Sequence, residues 1–214
     1  METYTTIVKF FQDGGFFMYP IVLVLTIGLA IMLERWFYLS KSGITNQMVW
    51  KKLMPMVSAG RLKEARDAAF KSKSAIGSIL TYGLDRVGTA RRRDDIEAAM
   101  EESLLEVMPR LEKRTHYLAT LANIATLLGL LGTIIGLIKA FTAVAAANPA
   151  EKADMLSASI SVAMNTTAFG LMVAIPLLLA HTWLSSKTTE VVDSLEMASV
   201  KFLNTVAERG AEVA

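Results

Sequence analysis

The 214-residue chain is 53% hydrophobic with a mean hydropathy of +0.41, too apolar for an ordinary soluble domain. Its formal net charge is only +2 and its pI of 8.8 comes from one basic stretch, so nothing indicates a nucleic-acid partner. Cysteine is absent, which excludes a disulfide framework, a thiolate metal site and a cysteine nucleophile.

Charges concentrate between Lys41 and Arg114 and again after Lys187. That segregation is what a bilayer demands, since a charge at its centre costs about 2.5–3.5 kcal/mol. Residues 1–15, with Phe10-Phe11 and the following Phe16-Phe17 around Gly14-Gly15, predict an interfacial helix on the outer leaflet. The apolar run Phe16 to Leu33 then gives roughly 27 Å of helix, enough for a first span over 16–39 with Glu34-Arg35-Trp36 at its exit. It exceeds a signal-peptide core, and no A-x-A site follows.

Residues 40–115 read as a cytoplasmic helical segment. Ile44–Val57, Arg61–Lys73 and Ala75–Val87 are amphipathic and divided by Gly60, Ser74 and Gly88. From Arg92 to His116 charges of alternating sign oppose Ile96, Met100, Leu104, Val107 and Leu111. The pattern continues through Pro109, which predicts a helix running unbroken into the second span.

The second span covers 116–141 and the third 159–185, joined by a short loop over 142–158 that holds the turn signal Asn148-Pro149. They form an antiparallel hairpin, and 186–214 follows as a cytoplasmic C-terminal helix. The 40–115 segment carries fifteen Lys and Arg. The positive-inside rule therefore puts that segment and the C-terminus in the cytoplasm and the N-terminus outside. The fold class is thus all-α integral membrane, with three transmembrane helices and a helical segment between the first and second.

Along the second span Gly129, Gly132 and Gly136 lie at helical spacing, and Gly170 lies in the third. Such small residues ordinarily let membrane helices pack closely. The third span also carries Ser161 and the cluster Asn165-Thr166-Thr167. Taken singly, each threonine is explained by a bond back to its own helix. Depth adds a second reading. Thr133 lies eight residues from the outer end at Phe141, and Thr166 and Thr167 lie seven and eight from Ser159. All three then sit at one level, about 12 Å below the outer surface. Hydroxyls converging there can replace water around a small cation, which points to an ion path at Thr133, Thr166 and Thr167. No acid or base lies inside a span; Lys139, His116 and His181 are near the ends. A proton path would therefore need a titratable group from a partner.

The series Gly14-Gly15, Met18, Pro20, the Glu34-Arg35 exit, LATLANIATLLGLLGTIIGLI and AMNTTAFGLMVAIP resembles the MotA/TolQ/ExbB family, in its three-span ExbB/TolQ-like branch. The resemblance covers most of the chain. It implies a homopentameric ring in the bacterial inner membrane around a single-span ExbD/TolR-like partner whose membrane aspartate carries H⁺ or Na⁺. Ion flow would then drive a TonB- or TolA-like protein for outer-membrane transport, with no cofactor beyond the transported ion. Thr133 and Thr167 match the family's second- and third-span hydroxyls, and the doubled Thr166-Thr167 is similar to sodium-type stators. Many family members have a glutamate five residues before the third-span threonine; here that position is Val162. Together with the resemblance at Thr133, Thr166 and Thr167, this departure tilts the expected ion towards sodium, held transiently at those three residues.

Two other function classes compete. One is a motor for gliding, secretion or motility; the other is a passive membrane scaffold. An intramembrane enzyme has no support, as the chain shows no His/Glu metal motif, no Ser/His/Asp set and no buried acid pair.

Overall fold

The structure, a computed structural model, describes residues 10–11, 14–90, 92–146 and 148–213. Among them six complete helices succeed one another: α1 (Met18–Ser58), α2 (Leu62–Ser72), α3 (Ala75–Val87), α4 (Arg93–Glu112), α5 (Thr115–Ala146) and α6 (Lys152–Val213). Helices α1, α5 and α6 are long and apolar enough to cross a membrane, so the chain is an all-helical membrane protein with three such helices. The interfacial helix expected over 1–15 falls mostly outside the described residues.

Several helices are longer than their sequence signals. α1 runs past residue 39 and absorbs the amphipathic stretch expected at Ile44–Val57, because nothing between them breaks the ladder. It stops where Gly60 takes φ +76°. The Gly60 N–H then reaches the Val57 carbonyl (3.0 Å) and the Arg61 N–H the Met56 carbonyl (2.9 Å), a Schellman ending. Likewise α5 extends to Ala146 and α6 begins at Lys152, which narrows the 142–158 loop to a tight turn closed by Glu151 N–H on the Asn148 carbonyl. α6 runs through Pro176 as one helix of 62 residues, joining the third span to the C-terminal segment.

The chain divides into two compact units, Met1–Leu33 with Arg114–Trp183 and Glu34–Lys113 with Leu184–Ala214. The second is a packed helical body. Phe202, Ile76, Ile79, Leu80, Met100 and Leu111 are buried at its core. Gly83 admits close packing there, since a Cβ would come 2.8 Å from Met100 Sδ and 3.0 Å from Phe202 Cε1. Its helix ends are satisfied from within. Ser74 Oγ accepts from Gly77 N–H (3.0 Å), and buried Asn46 Oδ1, from α1, accepts from Ile76 N–H (3.3 Å).

The expected unbroken helix from Arg92 into the second span is corrected here. α4 ends at Glu112, Lys113 adopts φ −45°, ψ 131°, and Arg114 is left-handed at φ +65°. The cause is Arg35, which is 2% exposed and donates through Nη2 to the carbonyls of Leu111 and Arg110. In a continuous helix those two carbonyls would accept from Thr115 and Arg114. A guanidinium at a helix C-terminus also opposes the macrodipole favourably, and this one sits 4.7 Å over the Tyr38 ring. Arg35→Ala is therefore expected to lower stability by about 1–3 kcal/mol, with Arg35→Lys recovering part of it. Thermal unfolding of the purified chain in detergent checks this; an unchanged midpoint for Arg35→Ala would contradict it.

Candidate functional site

The hairpin of the first unit is built on two stripes of α6 that face different neighbours. Ala163, Thr167 and Gly170, spaced four and three apart, meet α5. A Cβ on Gly136 would lie 2.9 Å from Ala163 Cβ, and one on Gly129 3.2 Å from Thr167 Cα. A Cβ on Gly170 would lie 2.7 Å from the Ala125 carbonyl and 3.1 Å from Gly129 Cα. The two backbones thus touch, which only glycine at these positions permits. Because the helices are antiparallel, residue 136 meets 163 while 129 meets 167 and 170.

This contact brings Thr133 and Thr167 together. Their hydroxyl oxygens are 2.7 Å apart. Thr133 Oγ1 also reaches the carbonyls of Leu130 (2.9 Å) and Gly129 (3.2 Å), while Thr167 Oγ1 donates across the helix pair to the same Gly129 carbonyl (2.9 Å). Two hydroxyl protons therefore have three kinds of acceptor to choose among. When Thr133 donates to Leu130 and Thr167 to Gly129, both hydroxyl oxygens keep lone pairs free for a cation.

The second stripe of α6, Val162, Thr166 and Phe169, faces the segment before α1. Thr166 is 2% exposed, and its hydroxyl meets the carbonyls of Gly14 (2.6 Å) and Val162 (2.9 Å). A Cβ on Gly132 would come 2.5 Å from Thr166 Cγ2. Phe10 and Phe11 pack edge-on against Phe169, at centroid distances of 6.2 and 5.0 Å. Val162 lies against Gly15, whose Cβ would be 3.2 Å from Val162 Cγ1. Gly15 itself has φ +72°.

Thr166 is thus near the pair in sequence but turned away from it. Ser161 is exposed and Asn165 half-buried, and among the described residues no side-chain hydrogen bond joins either to the pair. Two backbone groups join the predicted side chains, the Gly129 and Gly14 carbonyls. The first was foreseeable, since a helical threonine bonds the carbonyl four residues back. The second arrives from 152 residues away and leaves no local signal. Among the described residues no group of three or more His, Asp or Glu side chains gathers to hold a metal.

The family model described as the MotA/TolQ/ExbB proton channel family matches residues 71–197. The chain is 29% identical over 195 residues to a putative biopolymer transport protein ExbB homolog of Methanothermobacter thermautotrophicus, covering 90% of this chain and 67% of that protein. It is 29% identical over 185 residues to the putative biopolymer transport protein ExbB-like 1 of Synechocystis, covering 86% and 72%. A 93-residue stretch, 44% of this chain and 40% of the other, is 34% identical to the Tol-Pal system protein TolQ of Haemophilus influenzae.

Proposed function

The chain belongs to the MotA/TolQ/ExbB proton channel family, and on that premise we propose that it is the multi-span subunit of an ion-driven energy transducer whose ion path is lined by Thr133 and Thr167. The observation that carries this reading is the 2.7 Å hydroxyl pair over the Gly129 carbonyl. An entering cation displaces the hydrogen bond between the two hydroxyls. Their protons turn to the Leu130 and Gly129 carbonyls, and two oxygens face the ion in place of water. Thr166 serves as an anchor that ties α6 to the segment before α1, and Ser161 and Asn165 serve on the approach to the pair.

The subunit works in the bacterial inner membrane with its N-terminus periplasmic and its C-terminus cytoplasmic. The fifteen cations of 40–115 support that orientation. Leu127, Leu130, Ile134, Ile138 and Phe141 on α5 are exposed large apolar side chains, a surface that lipid or a second copy can cover; the homo-oligomeric, pentameric ring rests on the family resemblance. The ring encloses an ExbD/TolR-like subunit, whose membrane carboxylate supplies the acidic group that 16–33, 117–138 and 159–180 lack. The work passes to a TonB- or TolA-like protein.

The transported ion in this reading is sodium. Hydroxyl and carbonyl oxygens suit a hard cation, and Val162 leaves no carboxylate where related rings have one. Proton transport through the partner's carboxylate is the second reading, favoured by the family's own description. Replacing sodium by potassium at constant proton gradient separates the two. Motor-dependent uptake is expected to fall at least tenfold, and unchanged uptake removes the sodium reading.

A further inference from the structure

Outside the hairpin, the Glu34–Lys113 segment surrounds a cavity of about 1030 Å³ with walls from α1, α2, α3 and α4. Five cations line it, Lys41, Arg66, Lys73, Arg86 and Arg110, against one carboxylate, Asp85. Two of the five are engaged. Arg66 Nε lies 2.8 Å from Asp85 Oδ1, and Arg110 Nη2 lies 3.1 Å from Glu106 Oε1. Among the described residues Lys41, Lys73 and Arg86 have no carboxylate within ion-pair distance. The same space is bordered by the rings of Tyr38, Phe70 and Tyr82. A concave wall with surplus charge of one sign concentrates ions of the other, and lysine and arginine together are the usual phosphate holders.

We infer that this cavity binds a phosphate-bearing anion, held by Lys41, Lys73 and Arg86 while the aromatic rings cover its less polar part. The volume far exceeds a bare phosphate and matches the size of an organic ligand. Two sources supply such a group. One is the headgroup of an anionic phospholipid, since Tyr38 and Lys41 follow Leu33, the last residue of the first apolar run, by only five and eight positions on α1. The other is a soluble phosphorylated solute.

Full-length protein in phosphatidylcholine nanodiscs, with or without phosphatidylglycerol, is assayed by native mass spectrometry for retained lipid. In parallel, the phosphatidylcholine sample is titrated with pyrophosphate and with ATP by calorimetry. Each of Lys41→Gln, Lys73→Gln and Arg86→Gln is expected to weaken binding about fivefold, whereas Lys63→Gln, which does not line the cavity, leaves it unchanged. Asp85→Asn removes the one lining carboxylate and leaves Arg66 only its longer, exposed contact to Asp67 (3.5 Å), so it is expected to tighten binding by a similar factor, which a misfolded variant does not do. Retention of phosphatidylglycerol without a calorimetric signal assigns the lipid; the reverse assigns the soluble solute. Absence of both, or binding indifferent to these substitutions, overturns the inference.

Discussion

Thr133→Ala and Thr167→Ala are each expected to reduce ion-driven work about 10–100-fold, and the double variant to abolish it, while the chain still inserts and assembles. The estimate follows from the 1.5–3 kcal/mol typical of a hydrogen-bonding contact to a charged group, at about tenfold per 1.4 kcal/mol. Stability should change by no more than about 1 kcal/mol per site, because the hydroxyl pair already has alternative acceptors in Leu130 and Gly129. Thr167→Ser keeps the oxygen and should keep activity. The informative contrast is Thr166→Val. It strips the Gly14 carbonyl of its partner and should cost about 1–3 kcal/mol of stability with ion flow retained. Ion flux into vesicles, measured beside thermal unfolding, resolves these outcomes. A passive scaffold would show full function in the Thr133/Thr167 double alanine variant, and that result would sink the ion-path reading.

The second large effect is expected at Gly170. An added methyl there meets the Ala125 carbonyl at 2.7 Å and Gly129 Cα at 3.1 Å, both backbone atoms. Neither can rotate away, so α5 and α6 must part. Overpacking of this kind costs about 1–3 kcal/mol, or about 2–12 °C in unfolding midpoint for a chain of this size. Separation also pulls apart a hydroxyl pair only 2.7 Å long, so Gly170→Ala should lose stability and activity together. Gly132→Ala should cost stability comparably, because Thr166 Cγ2 at 2.5 Å and Cβ at 3.1 Å stand in its way and turning that side chain would break its bond to the Gly14 carbonyl. Gly88→Ala, facing open space, is the control. A Gly170→Ala protein as stable and active as the parent would show that the close crossing is not needed.

The hairpin was legible because its information is local and periodic. Glycines at 129, 132 and 136 mark one face of α5, and counting residues from each outer end puts Thr133 and Thr167 level. That count cannot distinguish Thr166 from Thr167, since adjacent helical residues differ by about 100° in direction. Only the packing of Gly14 and Phe11 against α6 decides which hydroxyl faces α5. The turns at Gly60, Ser74 and Gly88 were equally visible, each having its own chemistry. The break at Lys113-Arg114 was not. The local pattern there is helical, and the group that ends it, Arg35, lies 75 residues upstream of Arg110. Helix ends capped from a distance lie beyond any reading of neighbours.

Both remote caps come from α1: Asn46 completes the beginning of α3 and Arg35 the end of α4. Since a chain is made from its N-terminus, these two side chains exist before the helices that need them. At about 5–20 residues per second the ribosome takes about 4–15 s to travel from Arg35 to Arg110. The later helices can then stop at the right residues as they emerge, and assembly order is written into which helix lends its side chains.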